Sequence, residues 1–124
     1  MKKKATRRED YLKLIDALSK TQSVHGADLA RELEVSRPTV SIYLKQLVEA
    51  GDITMDRHRA VHLTEQGLQI AQSTQEKHGI VFQLLQGLGV PTPIAAEDAC
   101  AIEHSLSPES YAALKQLVEK QQKI

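Results

Sequence analysis

Cys100, Glu103 and His104 fall within a stretch of five residues, in the segment Asp98-Ala-Cys-Ala-Ile-Glu-His-Ser-Leu-Ser107. On a helix they occupy positions i, i+3 and i+4, which share one face. Thiolate, carboxylate and imidazole are the side chains that hold transition metals best, so this face offers three donors to an ion. An ordinary helix offers the same pattern, because a buried Cys also behaves as a small hydrophobe. Two remote donors bear on the choice: Asp10 in the first helical segment and His78 midway along a long one. Cys100 is the only cysteine, so no intrachain disulfide competes for it, and a reducing cytoplasm fits.

Positioning these groups is work for helices. The chain has 124 residues, 41% of them apolar and only 3% aromatic, so its core is built from Leu, Ile, Val and Ala. Thr6-Arg-Arg-Glu9 has the form of a capping box, and Tyr11, Leu12, Ile15 and Leu18 follow at helical spacing, predicting a helix over about 7–19. After a break at Gln22–Gly26, a second helix covers Ala27–Leu33, buried through Leu29, Ala30 and Leu33. Ser36 caps a third that carries Pro38 in its first turn, runs through Val40, Leu44, Leu47 and Val48 with the first three facing inward, and stops at Gly51.

The pattern then changes to alternation. Asp52–Met55 and Ala60–Leu63 flank the polar turn Asp56-Arg-His-Arg59, which predicts a hairpin. Thr64 caps a long helix over about 65–88, closed by Gly87 and Gly89. Thr92-Pro93 and Ser107-Pro108 each start a shorter one by the cap-then-proline rule. No apolar run approaches the roughly 18 residues that span a bilayer. The basic start lacks the apolar segment of a signal peptide, so no membrane role is expected.

Formal net charge is zero but unevenly placed: residues 1–59 carry +3 and residues 60–124 carry −3. Two short helices joined by a tight turn, one helix before them and a hairpin after them describe a winged helix-turn-helix. Such a domain lays its second short helix in the major groove of double-stranded DNA. On that helix Ser36, Arg37, Pro38, Thr39, Ser41, Ile42 and Lys45 are the candidate contacts. Hydroxyls and Arg37 bond phosphates or base edges, and Ile42 suits a thymine methyl, although a lone exposed Ile is also common without a function. Arg57 and Arg59, with His58 between them, are candidate phosphate contacts on the wing, although hairpin turns are usually polar in any case. Lys2, Lys3, Lys4, Arg7 and Arg8 form either a basic arm or a frayed end.

The order EDYL at 9–12, DLARELEVSRPTVS at 28–41, LTEQG at 63–67, KH at 77–78 and DACAIEHSLS at 98–107 resembles the diphtheria toxin repressor and manganese transport regulator family. These are metal-activated winged-helix repressors, and the resemblance covers nearly the whole chain. It implies a mostly α fold with a small β-hairpin: a winged helix-turn-helix domain over 1–64 and a helical metal-binding and dimerisation domain over 65–124. The length matches the short, two-domain members, without the SH3-like third domain of longer ones. The family's metal ligands fall on Asp10, His78, Cys100, Glu103 and His104. Asp10 is the manganese-type choice and Cys100 the iron-type one. A glutamate that manganese-type members carry three residues after the Asp is replaced by Lys13, which argues for one ion rather than two. Lys13 either partly neutralises Asp10 and Glu103 or points to solvent.

Carboxylates and imidazole suit Mn(II) and Fe(II), while the thiolate favours softer ions, so Zn(II) and Co(II) are expected to bind in vitro. The resemblance implies a homodimer that binds a pseudo-palindromic operator when loaded with Fe(II) or Mn(II) and controls metal-uptake genes. Without metal the first helix is expected to move more freely. Three alternatives stand beside this reading: a metal-independent winged-helix regulator with a vestigial metal site, a small metal-dependent hydrolase, and a protein-interaction winged helix. The hydrolase has no nucleophile motif, phosphate loop or small-substrate domain to support it.

Overall fold

A computed structural model of the chain describes residues 8–122. Thr6 and the basic residues Lys2, Lys3, Lys4 and Arg7 lie outside them. Along the described chain run α1 (Arg8–Ser19), α2 (Gly26–Leu33), α3 (Arg37–Ala50), β1 (Ile53–Met55), β2 (Val61–Leu63), α4 (Glu65–Gly87), α5 (Thr92–Ile102) and α6 (Pro108–Gln122). The chain divides into two compact units, Met1–Gln72 and Ser73–Ile124, and the division falls inside α4.

The N-terminal unit is built on the stripe that helical spacing predicts. Tyr11, Leu12 and Ile15 of α1 meet Leu29 of α2, Val40, Leu44 and Leu47 of α3, Ile53 of β1, Val61 of β2 and Ala71 of α4 in one core. Val48 is 42% exposed. It stands about 100° round the helix from Leu47, on the flank of the buried stripe. Leu18 and Leu33 are half-buried at the core margin.

Caps fix the helix ends. The Ser36 hydroxyl accepts the Thr39 N–H at 3.2 Å, and Gly51 closes α3 at φ 85°, where a side chain would be strained. The Thr64 hydroxyl accepts the Gly67 N–H at 3.1 Å and donates to the Gly51 carbonyl at 2.6 Å, joining the end of α3 to the start of α4. Gly67 is required there, because a Cβ on it would lie 2.1 Å from the Asp52 carbonyl oxygen.

The hairpin pairs Ile53 with Leu63, Thr54 with His62 and Met55 with Val61, antiparallel. A third piece of chain joins it, unforeseen in the break before α2: the Val61 N–H donates to the Val24 carbonyl at 2.8 Å. The wing is thereby tied to the helical body.

In the C-terminal unit α5 departs from its predicted cap. Pro91 precedes the helix, and Thr92 is its first residue. The Thr92 hydroxyl instead accepts a hydrogen bond from the Gln86 amide at 2.8 Å. Ser107 does cap α6, its hydroxyl accepting the Ser110 N–H at 3.1 Å. The buried apolar residues of this unit are small: Val81, Ala95, Ala99 and Val118. Larger ones remain outside, Leu88 at 80%, Ile94 at 53% and Leu117 at 46% exposure.

Candidate metal centre and nucleic-acid interface

On α3 the face opposite the core is Arg37, Pro38, Thr39, Ser41, Ile42 and Lys45, all exposed, with Ser36 at its head. Ile42 is 62% exposed on this face. The Ser36 hydroxyl also donates to the Thr39 hydroxyl at 2.8 Å, so these two groups shape the helix start. Arg37, Ser41 and Lys45 stand one helical turn apart along the same face.

The wing turn is organised by Asp56. Its carboxylate accepts the backbone N–H groups of His58 at 2.8 Å and Ala60 at 3.0 Å, and lies 2.9 Å from Nε2 of His62. The hydrogen bond from His62 and those from the two backbone amides hold the carboxyl at about 2, well below its ordinary range. Arg59 takes the left-handed conformation at φ 64°, and its N–H closes the turn on the Asp56 carbonyl at 2.9 Å. This bulged turn keeps Arg57, His58 and Arg59 exposed. Between wing and helices lies a cavity of about 200 Å³, lined by His25, Arg37, Ser41, His58 and Arg59 among others, and by no acidic residue. That chemistry suits an anionic backbone.

Arg8 is neither a basic arm nor a frayed end. Its guanidinium grips Asp52 through two hydrogen bonds, Nε to Oδ2 at 2.6 Å and Nη2 to Oδ1 at 2.7 Å. Asp52 is wholly buried and also accepts the Gln66 amide at 2.7 Å. The Arg8 hydrogen bond, more than any other influence, holds the Asp52 carboxyl below its ordinary range. The pair is 44 residues apart in sequence, and no local pattern announces it.

Within the C-terminal unit, ligand atoms of His78, Cys100 and Glu103 all lie within 4.8 Å of one another. His78 Nδ1 stands 3.4 Å from Glu103 Oε2, and His104 Nε2 stands 3.7 Å from Glu103 Oε1. The Glu103 side chain is 0% exposed, His104 6% and His78 27%. The predicted single helical face needs one correction: α5 ends at Ile102. Glu103 is the C-cap and keeps helical torsions, φ −56° and ψ −30°, so it stays on the Cys100 face. His104 belongs to the turn that follows, where the Ser105 N–H bonds back to the Ile102 carbonyl at 2.8 Å. His78 comes from α4, stacked on Phe82 with ring centroids 6.0 Å apart.

A buried carboxylate flanked by two imidazoles and a thiol fits a divalent transition ion, because desolvating a carboxylate is costly unless a cation compensates it. Asp10 lies in the first turn of α1 in the other unit, half-buried, with Lys13 one turn on, also half-buried.

Residues 64–123 match the family model described as iron dependent repressor, metal binding and dimerisation domain. Residues 9–53 match the helix-turn-helix model of the arsR family of bacterial regulatory proteins. The transcriptional regulator MntR of Escherichia coli O6:H1 is 39% identical over 122 residues, which span 95% of this chain and 79% of that protein. The chain belongs to the DtxR/MntR family of metal-dependent transcriptional regulators. Solved structures agree. The manganese regulator SloR superposes with a TM-score of 0.84 at 27% identity, over 94% of this chain and 55% of that one. A manganese-dependent transcriptional repressor in complex with manganese gives 0.82 at 27% identity, over 91% and 53%. The chain thus spans little more than half the length of these solved relatives.

Family membership makes the protein a regulator and not an enzyme, and it does not favour the metal-independent alternative. The mostly helical fold with a two-stranded wing is that of the family. No helix among the described residues is long and apolar enough to cross a membrane.

Proposed function

We propose that this regulator is a cytoplasmic repressor that, as a homodimer, binds a pseudo-palindromic operator when Fe(II) or Mn(II) is bound, and so controls metal-uptake genes. His78, Cys100, Glu103 and His104, with Asp10 from α1, would hold the ion. Bound there, it would place positive charge beside the buried carboxylate. Ser36, Arg37, Pro38, Thr39, Ser41, Ile42 and Lys45 would meet the major groove, and Arg57 and Arg59 the phosphates. The observation that carries the reading is the gathering of three different donor types within 4.8 Å around a fully buried Glu103.

Asp10 belongs to the DNA-reading unit and the other four ligands to the C-terminal unit. An ion that recruits donors from both favours one arrangement of the dimer's recognition helices over others, and only such a difference between states can change DNA affinity. The donor set leaves iron and manganese close, with cellular supply deciding, and admits Zn(II) and Co(II) in vitro. Lys13 in place of a carboxylate supports one ion per chain.

The test is operator binding by fluorescence anisotropy under anaerobic conditions, on palindromic duplexes selected from a random library, with and without Mn(II) or Fe(II). Metal is expected to tighten binding by about 100-fold, a coupling of about 2.7 kcal/mol that is ordinary for allosteric proteins. Equal affinity in both conditions would overturn the reading, and two tightly bound ions per chain would overturn the single-site part of it.

A further inference from the structure

We propose that Arg8 and Asp52 form a strut that makes α1 and the DNA-reading body one lever, so that an ion held by Asp10 acts on the recognition helix and wing together. The proposal rests on the reading of Asp10 as a metal ligand and adds how ligation there reaches DNA. Asp10 is fastened on both sides. Two residues before it, Arg8 reaches the carboxylate of Asp52 with both arms of its guanidinium, at 2.6 and 2.7 Å. One residue after it, Tyr11 is wholly buried and stacks on Tyr43 of α3, ring centroids 4.4 Å apart and planes 11° from parallel. A ligand standing between two such fastenings cannot shift its helix without shifting what the helix grips.

What it grips is the corner where the DNA-reading elements join. Asp52 follows the cap of α3, and its N–H donates to the Leu47 carbonyl at 3.0 Å. Its own carbonyl accepts the Thr64 N–H at 3.0 Å, tying it to the end of β2. Its carboxylate accepts the Gln66 amide at 2.7 Å, and that amide also donates to the Ala50 carbonyl at 3.0 Å. Gly67 lies so close to the Asp52 carbonyl that no side chain fits between them. Recognition helix, wing and the start of α4 therefore converge on one buried residue, the first two through its backbone, and Arg8 is the link from α1 to its carboxylate. A bidentate guanidinium fixes orientation as well as distance, which a lysine ammonium cannot do. On this proposal α1 moves together with its whole unit.

Arg8 and Asp52 are positioning residues: they act through Asp10 and α3. The experiment compares wild type, Arg8→Gln, Arg8→Lys and Asp52→Asn for operator affinity with and without Mn(II), and for Mn(II) affinity of the DNA-free and DNA-bound protein. In Arg8→Gln and Asp52→Asn the ratio of metal-free to metal-loaded operator Kd is expected to fall about tenfold, with metal-free operator affinity and Mn(II) binding to DNA-free protein within about threefold of wild type. By linkage, Mn(II) affinity of the DNA-bound protein falls by the same factor as the ratio. Arg8→Lys is expected to lie between. Equal weakening of DNA binding in both metal conditions, leaving the ratio at its wild-type value, would reduce the pair to a structural staple and overturn the proposal. Arg8 is half exposed, so Arg8→Gln remains informative should Asp52→Asn fail to fold. Failure of the underlying reading shows separately, as a wild-type protein whose operator affinity ignores Mn(II).

Discussion

The two units solve the burial problem in opposite ways. The N-terminal unit encloses large side chains, Tyr11, Leu12, Ile15, Leu29 and Ile53 among them, and its fully buried carboxylate Asp52 already holds a cation in Arg8. The C-terminal unit encloses mainly Ala and Val and leaves Leu88, Ile94 and Leu117 exposed. Its buried carboxylate, Glu103, faces imidazoles and a thiol in place of a guanidinium. A unit of roughly 50 residues buries too little surface to be comfortably stable alone. The first unit supplies its own counter-charge and its own core. The second, in the function we propose, would gain a metal ion at its donor cluster and a second copy of the chain over its exposed apolar side chains.

The sharpest way to break that contrast is to remove the charge at the second unit's proposed metal site. Glu103→Gln keeps shape and removes charge. Operator binding in Mn(II) is expected to fall about 100-fold, to the metal-free level, and the rise in melting temperature on adding Mn(II) is expected to vanish. The metal-free protein should be no less stable than wild type, because an amide is cheaper to bury than a carboxylate. A Glu103→Gln protein with a wild-type metal response would place the ion elsewhere.

The first unit, in contrast, should fail by crowding. Gly67→Ala drives a Cβ to within 2.1 Å of the Asp52 carbonyl oxygen, a backbone atom that cannot swing aside. A loss of about 1–3 kcal/mol is expected from overpacking of this kind, read from urea unfolding of the metal-free protein. An unchanged midpoint would mean that α4 is not held against Asp52 in solution.

Exposed apolar side chains on the second unit give the next test. Leu117→Glu is expected to weaken self-association at least about tenfold in sedimentation equilibrium, since charge at the centre of an apolar contact is poorly tolerated. The monomer's helical circular dichroism should persist. A dimer as tight as wild type would move the interface away from this face of α6.

The same contrast explains what could be read from the sequence. Helices, caps and the inward stripe of the first unit follow short-range rules, and Ser36, Gly51, Thr64 and Ser107 act as their types suggest. Cys100 and Glu103 were legible as neighbours because helical torsions persist through the C-cap. His104 falls one residue past the C-cap, in the turn after α5, and still stands 3.7 Å from Glu103. Thr92 was misread as a cap because its hydroxyl is claimed by Gln86 from the preceding helix. Arg8 looked like one more member of a basic tail. Nothing local marks a partner 44 residues away, and burial of Asp52 is a property of the packed corner alone.

Acid separates the two kinds of carboxylate most gently. Asp56 is held at about 2 by His62 and the backbone amides of the wing, and Asp52 is held below its ordinary range by Arg8. In the unfolded chain both return to about 3.9. Because the folded values are depressed, each carboxylate contributes stability above about pH 4 that is lost as pH falls through its folded value. For Asp56 the window therefore runs from about pH 4 down to about pH 2. Urea stability of metal-free wild type should decline across it, and Asp52→Asn should flatten the decline while lowering stability at neutral pH. Carboxyl resonances followed by NMR assign the effect: Asp56 is expected to titrate near 2 and to move up towards the ordinary range in His62→Ala, stopping short of it because the His58 and Ala60 amides remain. If Asp56 titrates there already in the intact protein, the wing is not latched by His62, and the first unit is less self-sufficient than its core suggests.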